Sequence, residues 1–380
     1  MSTRPRPPML PAALGMCGLL VALLATELIG QDFKQVCPPC AAVARAQGGI
    51  DKIHPGALAD RAWALGQRGI NQPQPLDSPA SLRLGFGATI VQIDTGVTAH
   101  PLLHGFETTG GGLDVTAADD LYGIGHRNID LLLGGSLRFP GHGTKTSSVI
   151  IGRSTAAFAG MTGAARGARV IPVRATQGVV LFPTEIGELN ARFERVVRAI
   201  NEAAQGANGR FGKVDVISMS LGGWPPVDGI CDAVANAANA GILVVVAAGN
   251  EVKRAKYPAK CPDAIAIAGS TFDQKPWSGS AGAPEVVVAA PAEGVWTASV
   301  MGGAYCLDAS SGTSFATALV AGMAAEWVVQ MRAKNTLPAV PTPAFKDALK
   351  RSARPWSTAS WQRQFGVGIV DMRRLMELGG

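Results

Sequence analysis

Val214 to Asn250 reads VDVISMSLGGWPPVDGICDAVANAANAGILVVVAAGN, and this stretch decides the fold. VDVISM and ILVVVAA are short Val/Ile-rich runs of strand length. CDAVANAANAG between them is alanine-rich and ends at Gly241, as a helix does. A strand, a helix and a second apolar strand in that order give parallel pairing. Strands that are apolar throughout, without polar alternation, have both faces covered.

The same alternation runs outward from this unit. Upstream lie the strand ATIVQID (88–94), a helix following GHGTKTSS (141–148), the strand ARVIPVRA (168–175) and the amphipathic helix TEIGELNARFERVVRAINEAA (184–204). Downstream come the strands AIAIAGS (264–270) and EVVVAAP (285–291), then a helix entered near Ser314. The expected class is α/β, with a mostly parallel sheet and helices on both faces. Functional residues of such sheets gather at the carboxyl ends of the strands.

Composition supports a substantial core, since 47% of the 380 residues are hydrophobic and only 16% are charged. The net charge of +6 is scattered, with no basic stripe interleaved with aromatics, so nucleic acid is not an expected partner. Residues 1–30 differ in kind. Arg4 and Arg6 precede an uncharged run, Pro7 to Thr26, which reads as a signal peptide or an uncleaved signal anchor. Leu23-Leu24-Ala25 is a poor cleavage site, and Met16 before Cys17 does not fit a lipoprotein signal. Either reading puts the rest of the chain outside the cytoplasm, secreted or attached to a membrane through this segment.

Residues 31–87 form a short extension and lead-in, with a helical patch, ALADRAWALGQRGI, before the turn-rich NQPQPLDSPAS. This leaves too little room for a separately folded inhibitory prodomain. CPPC at 37–40 lacks the strand-then-helix setting of a redox motif, so a structural or linker role is expected. Residues 88–380 form the main domain. GFGATI, at its start, precedes a strand and lacks a third glycine, so it reads as a turn and not as a dinucleotide-binding loop.

Three polar residues stand at positions suited to chemistry. Asp94 ends the strand ATIVQID, and His142 stands between glycines at a helix start. Ser314 lies in SSGTSFATALVAGMAA (310–325), where hydroxyls crowd the entrance to an apolar helix. Each has an ordinary reading, as turn residue, surface histidine or helix cap. Together, with Asn250 at the end of ILVVVAAGN, they are the ingredients of nucleophilic acyl transfer. Phe315, Leu319, Met323 and Trp327 would form the buried stripe of the helix behind Ser314.

IDTGVTAHPLL, GHGTK, SMSLGG, VVAAGNE and SSGTSFATALVAG, in this order, resemble the motifs of the subtilisin-like serine proteases, the subtilases, over roughly Ala88 to Asp371. The resemblance implies a three-layer subtilisin-like fold and serine endopeptidase activity on polypeptide substrates. It implies an Asp94–His142–Ser314 triad, aspartate first and serine last. Asn250 and the backbone N–H of Ser314 would form the oxyanion hole. Ser220, Leu221 and Gly222 would pair with the substrate backbone, while Ala247, Ala248 and Gly249 would wall the first specificity pocket. Lys256 would lie near the base of that pocket and turn its tip to solvent, leaving a preference for large apolar residues before the cut. A disulfide between Cys231 and Cys261 is implied, with no obvious partner for Cys306 within the domain. A catalytically silent binding or scaffolding relative is the alternative, and such relatives usually lose a triad residue.

Departures from the family pattern are few. Ala318 and Leu319 replace a frequent Pro-His, and Lys145 replaces a frequent His, without touching a catalytic role. Gln92, in mid-strand, needs hydrogen-bond partners. Arg153 to Arg166 contains no carboxylate or Asn, so no metal site is assignable there. No cofactor is required on this reading, and calcium remains possible without an assignable site.

Overall fold

The computed structural model describes residues 84–97, 100–103, 141–153, 155, 163–176, 186–223, 228–250, 254–301 and 304–378. The leader, the 31–87 extension up to residue 83 and the CPPC motif lie outside the described residues.

Eight strands form one sheet: β1 (Thr89–Asp94), β2 (Arg169–Arg174), β3 (Val216–Met219), β4 (Leu243–Ala247), β5 (Ile265–Ser270), β6 (Val286–Pro291), β9 (Arg354–Pro355) and β10 (Gly368–Ile369). Their order is β2-β1-β3-β4-β5-β6-β10-β9, parallel throughout except for the edge pairing of β9 with β10. Every side chain of β3, β4, β5 and β6 is buried, which is why these strands read as continuous apolar runs.

Alternate side chains enter two separate cores. Ile90, Val216, Leu243, Val245, Ile265 and Ile267 face one side. There they meet α1 (His142–Ile151), α4 (Thr313–Ala333), α5 (Thr342–Ser352) and α7 (Met372–Leu378). Val91, Ile93, Ile217, Val244 and Val246 face the other, against α2 (Ile186–Ala203) and α3 (Ile230–Asn239). The period of two in the strands thus divides each between two helical layers.

Two differences from the sequence reading matter for the site. GHGTKTSS does not precede its helix but forms it, because α1 begins on His142 itself. A hairpin went unread: β7 (Val295–Met301) pairs antiparallel with β8 (Ala304–Ser310), and β8 leads directly into α4. The stripe Phe315, Leu319, Met323 and Trp327 is buried as expected, but so is most of the remaining surface of α4. By length and composition α4 could cross a membrane; its 89% burial marks it as a core helix.

Candidate active site

The ends of β1, β3 and β4 and the starts of α1 and α4 bring the marked residues together. Asp94, at the carboxyl end of β1, is 1% exposed. Its Oδ1 accepts the Thr95 backbone N–H at 2.7 Å and lies 2.7 Å from His142 Nδ1. Its Oδ2 accepts the Thr146 hydroxyl at 3.1 Å. A carboxylate so engaged fixes the imidazole with Nδ1 toward Asp94 and Nε2 turned away from it.

Close backbone approach makes this contact possible. The Gly143 N–H donates to Thr95 Oγ1 at 2.9 Å, and a Cβ on Gly143 would overlap the Gly96 carbonyl oxygen. Glycine after the histidine is therefore a steric requirement for bringing α1 against the loop after β1.

Ser314 occupies the first turn of α4, where N–H groups lack intrahelical acceptors and the helix dipole is positive. Ser314 and His142 are both buried. No hydrogen bond joins Ser314 Oγ to His142; the serine hydroxyl instead approaches the Ser220 carbonyl at 3.5 Å. In return the Ser220 hydroxyl donates to the Ser314 carbonyl at 3.0 Å, tying the end of β3 to the start of α4.

Asn250 stands beside the same helix start. Its Oδ1 accepts the Thr313 N–H at 2.9 Å and the Thr313 hydroxyl at 2.8 Å. Both partners are donors, so the carbonyl end is fixed against Thr313 and Nδ2 is free to donate elsewhere. Nδ2 lies 3.3 Å from where a Cβ on Gly312 would stand.

The segments expected to bind substrate follow β3 and end β4. Ser220 and Leu221 are buried and Gly222 is half-exposed. Gly223 exchanges backbone hydrogen bonds with Tyr257. Ala247 and Ala248 are buried; Gly249 adopts φ +109° and donates its N–H to Thr313 Oγ1 at 3.2 Å. Half-buried Lys256 sends its N–H to the Ala248 carbonyl at 3.3 Å, and its Cβ lies 3.4 Å from a Cβ built on Gly222. Lys256 therefore sits between the two segments, near the expected pocket.

Cys231 and Cys261 are joined by a disulfide. Cys306 is also disulfide-bonded, to a partner outside the described residues. Among the described residues no three His, Cys, Asp or Glu side chains are grouped as a metal site requires.

Sequence reasoning missed the residues that support the site. Thr313 orients Asn250, and Thr146 contacts Asp94. Gln92 was marked by its polarity alone, and its partners are found on α1. Lys145 reaches across to Asp308 of β8 in an ion pair. Thr146 carried a readable signal, since it follows His142 by one helical turn and so shares its face.

A sequence model of the subtilase family matches residues 85–368. The extracellular protease of Xanthomonas campestris pv. campestris is 29% identical over 337 residues, 81% of this chain and 54% of that protein. A subtilisin-like protease of Coccidioides posadasii is 31% identical over 267 residues, 70% of this chain and 58% of that protein. The chain spans little more than half the length of these curated relatives. Among solved structures, proteases from Pseudoalteromonas arctica PAMC 21717 align with a TM-score of 0.62 at 24% identity, covering 83% of this chain and 97% of theirs. A cold-adapted subtilisin-like serine proteinase aligns with a TM-score of 0.56 at 23% identity, covering 82% and 98%. These structural likenesses establish a three-layer, subtilisin-like α/β fold.

Proposed function

The chain belongs to the subtilase family, and on that premise we propose that it is a serine endopeptidase acting outside the cytoplasm through Asp94, His142 and Ser314. The observation that carries this reading is the 2.7 Å contact between His142 Nδ1 and Asp94, with Ser314 in the first turn of α4 beside Phe315, whose ring centroid lies 6.3 Å from that of His142.

Ser314 Oγ attacks the scissile carbonyl while its proton passes to His142 Nε2. Asp94 keeps the imidazole in the required tautomer and stabilises its positive form. The carbonyl oxygen, now negative, accepts hydrogen bonds from Asn250 Nδ2 and the Ser314 N–H. His142 then gives its proton to the leaving amine as the C–N bond breaks. Water hydrolyses the acyl-enzyme by the same route and restores the serine. Reaching this arrangement requires the Ser314 hydroxyl to leave the Ser220 carbonyl, a rotation that substrate binding can drive because such contacts tighten in the complex.

Ser220, Leu221 and Gly222 would pair with the substrate backbone as an added strand. Ala247, Ala248 and Gly249 would leave room for a large side chain, and Lys256 would snorkel outward, so that large apolar residues are favoured before the cut. The location rests on the disulfide between Cys231 and Cys261, which suits an oxidising compartment, and on the Xanthomonas relative's description as extracellular.

Treatment with a fluorophosphonate, followed by peptide mapping, tests the reading. Stoichiometric labelling at Ser314, lost in Ser314→Ala together with peptide hydrolysis, is expected. A folded wild type that is neither labelled nor active would make the chain a silent binding relative. Peptide-library cleavage by the wild type and Lys256→Ala tests specificity, and preferential cutting after Asp or Glu that disappears in the variant would overturn the apolar preference.

A further inference from the structure

Gln92 is 1% exposed in the middle of β1, two residues before Asp94, among strand neighbours that are apolar. Its contacts determine which way its amide points. One end lies 3.0 Å from the Gly143 carbonyl, which can only accept, so that end is the NH2 group. The same NH2 group lies 2.6 Å from Thr146 Oγ1 and donates to it. The Ser147 hydroxyl donates to Gln92 Oε1 and closes the arrangement.

This bears on the single proton of the Thr146 hydroxyl. Three acceptors are within reach: Asp94 Oδ2 at 3.1 Å, the His142 carbonyl at 3.1 Å and the Gly143 carbonyl at 3.2 Å. Gln92 donates to the Thr146 oxygen and to the Gly143 carbonyl, so its NH2 group cannot take this proton and competes for the Gly143 carbonyl. Of the three acceptors, the carboxylate gains a charge-assisted bond, roughly twice as strong as a neutral one.

Resting on the proposed triad, we infer that Gln92 and Thr146 are positioning residues, with Gln92 directing the Thr146 proton onto Asp94 Oδ2 so that the carboxylate plane is fixed for His142. Asp94 Oδ1 is held by Thr95 and His142. Without a donor at Oδ2 the carboxylate can turn about its Cβ–Cγ bond, and the histidine loses its alignment. Such a loss reduces turnover and leaves the substrate-binding segments untouched.

The test compares kcat and KM on a chromogenic peptide, thermal stability and fluorophosphonate labelling for three variants. Thr146→Val should lower kcat by roughly 10- to 100-fold, the worth of one hydrogen bond to a charged group, with KM unchanged. Thr146→Ser, which keeps the hydroxyl, should recover kcat to within about twofold. The third variant, Gln92→Val with Thr146→Val and Ser147→Ala, removes the three side chains together, so none of them strands another, and leaves only Asp94 Oδ2 without its donor. It should fold, at the cost in stability of that one oxygen, and keep the low kcat. Recovery of wild-type kcat in this variant would show that the group only packs, and an unchanged kcat in a folded Thr146→Val would overturn the inference directly. Should Thr146→Val fail to fold, the triple variant alone decides. A wild type that is labelled at Ser314 separates either failure from a failure of the triad reading.

Discussion

Asn250 can act as a donor because its other end is held. The Thr313 backbone N–H can only donate, and it faces Oδ1, so the amide cannot flip without placing two donors against each other. Asn250→Asp would keep the contacts to Thr313 and replace the free N–H by an acceptor, whereas Asn250→Ala would remove both. Steady-state kinetics should show kcat reduced about 100- to 1,000-fold in the alanine variant, the range for one such donor in subtilisin, a relative of this chain, with KM nearly unchanged. The aspartate variant should be at least as impaired, because it sets a negative charge beside a developing one. Wild-type turnover in both would remove Asn250 from the oxyanion hole. The residues that carry charge or nucleophilic character were legible in sequence, since each ends a strand or begins a helix. Thr313 was not, because it acts through a contact 63 residues away that only the folded chain supplies; for Thr146 the sequence shows the helix face shared with His142, while its contact to Asp94, 52 residues away, comes from the fold.

Between the residues and the sheet stands α1, held on two sides. Toward β1 it carries Thr146 and Ser147; toward the β7–β8 hairpin it carries Lys145 and Ser148. Lys145 pairs with Asp308 and donates to Ser310 Oγ at 3.2 Å, and Ser148 Oγ accepts the Ala298 N–H at 2.9 Å. The Asp308 side chain is 1% exposed and that of Lys145 13%. Removing one charge from so buried a pair strands the other, a loss of about 3–5 kcal/mol. Asp308→Asn and Lys145→Met should each approach that figure in denaturant unfolding, while the double variant loses much less than their sum. Additive losses would mean the two charges do not sense each other. The hairpin itself was hard to read because β7 is buried from Val295 to Ser299, Thr297 and Ser299 included; the Thr297 hydroxyl donates to the Asp308 carbonyl at 3.1 Å. Polar residues in such a place erase the alternation that marks a strand, leaving only the Gly302-Gly303 pair as a turn signal. On the opposite face, the Cys231–Cys261 bond closes a 30-residue loop across α3 and β4. By the chain-entropy relation it should contribute about 3–4 kcal/mol. Replacing both cysteines by serine should lower stability by that order in chemical denaturation, and an unchanged unfolding midpoint would show that the bond constrains nothing the rest of the fold does not.

At the scale of the whole molecule, the parallel sheet and its two layers were legible because a strand covered on both faces has nothing polar to show. The strand order, and the pairing of hairpin with helix, follow from long-range contacts and could not be read. Those contacts also bury two titratable groups with opposed effects on stability. His100 fastens the segment after Asp94 to β8: its Nδ1 accepts the Leu102 N–H and its Nε2 meets the Cys306 carbonyl. Burial lowers its pKa from 6.5 to about 4. The unfolded chain therefore takes up a proton below pH 6.5 that the folded chain refuses until about pH 4, and the loss between those limits is at most about 3 kcal/mol. Glu326, inside α4, accepts the Gly85 N–H at 2.6 Å, and burial pushes its carboxyl above 4.5. Here the unfolded chain gives up the proton first, so this contribution is fully present below pH 4.5 and declines as pH rises. Between pH 4.5 and 6.5 the two slopes oppose each other, which flattens the profile of the native protein. His100→Gln should expose the Glu326 slope, so that its deficit against wild type is largest near pH 7 and shrinks toward pH 4. Glu326→Gln keeps an acceptor for Gly85 and removes the ionisation, so its stability relative to wild type should rise with pH above 4.5. Denaturant unfolding of the three proteins at pH 4, 5.5 and 7 checks both slopes, and a His100→Gln deficit that stays constant from pH 7 to pH 4 would mean that this histidine is protonated alike in the folded and unfolded chains.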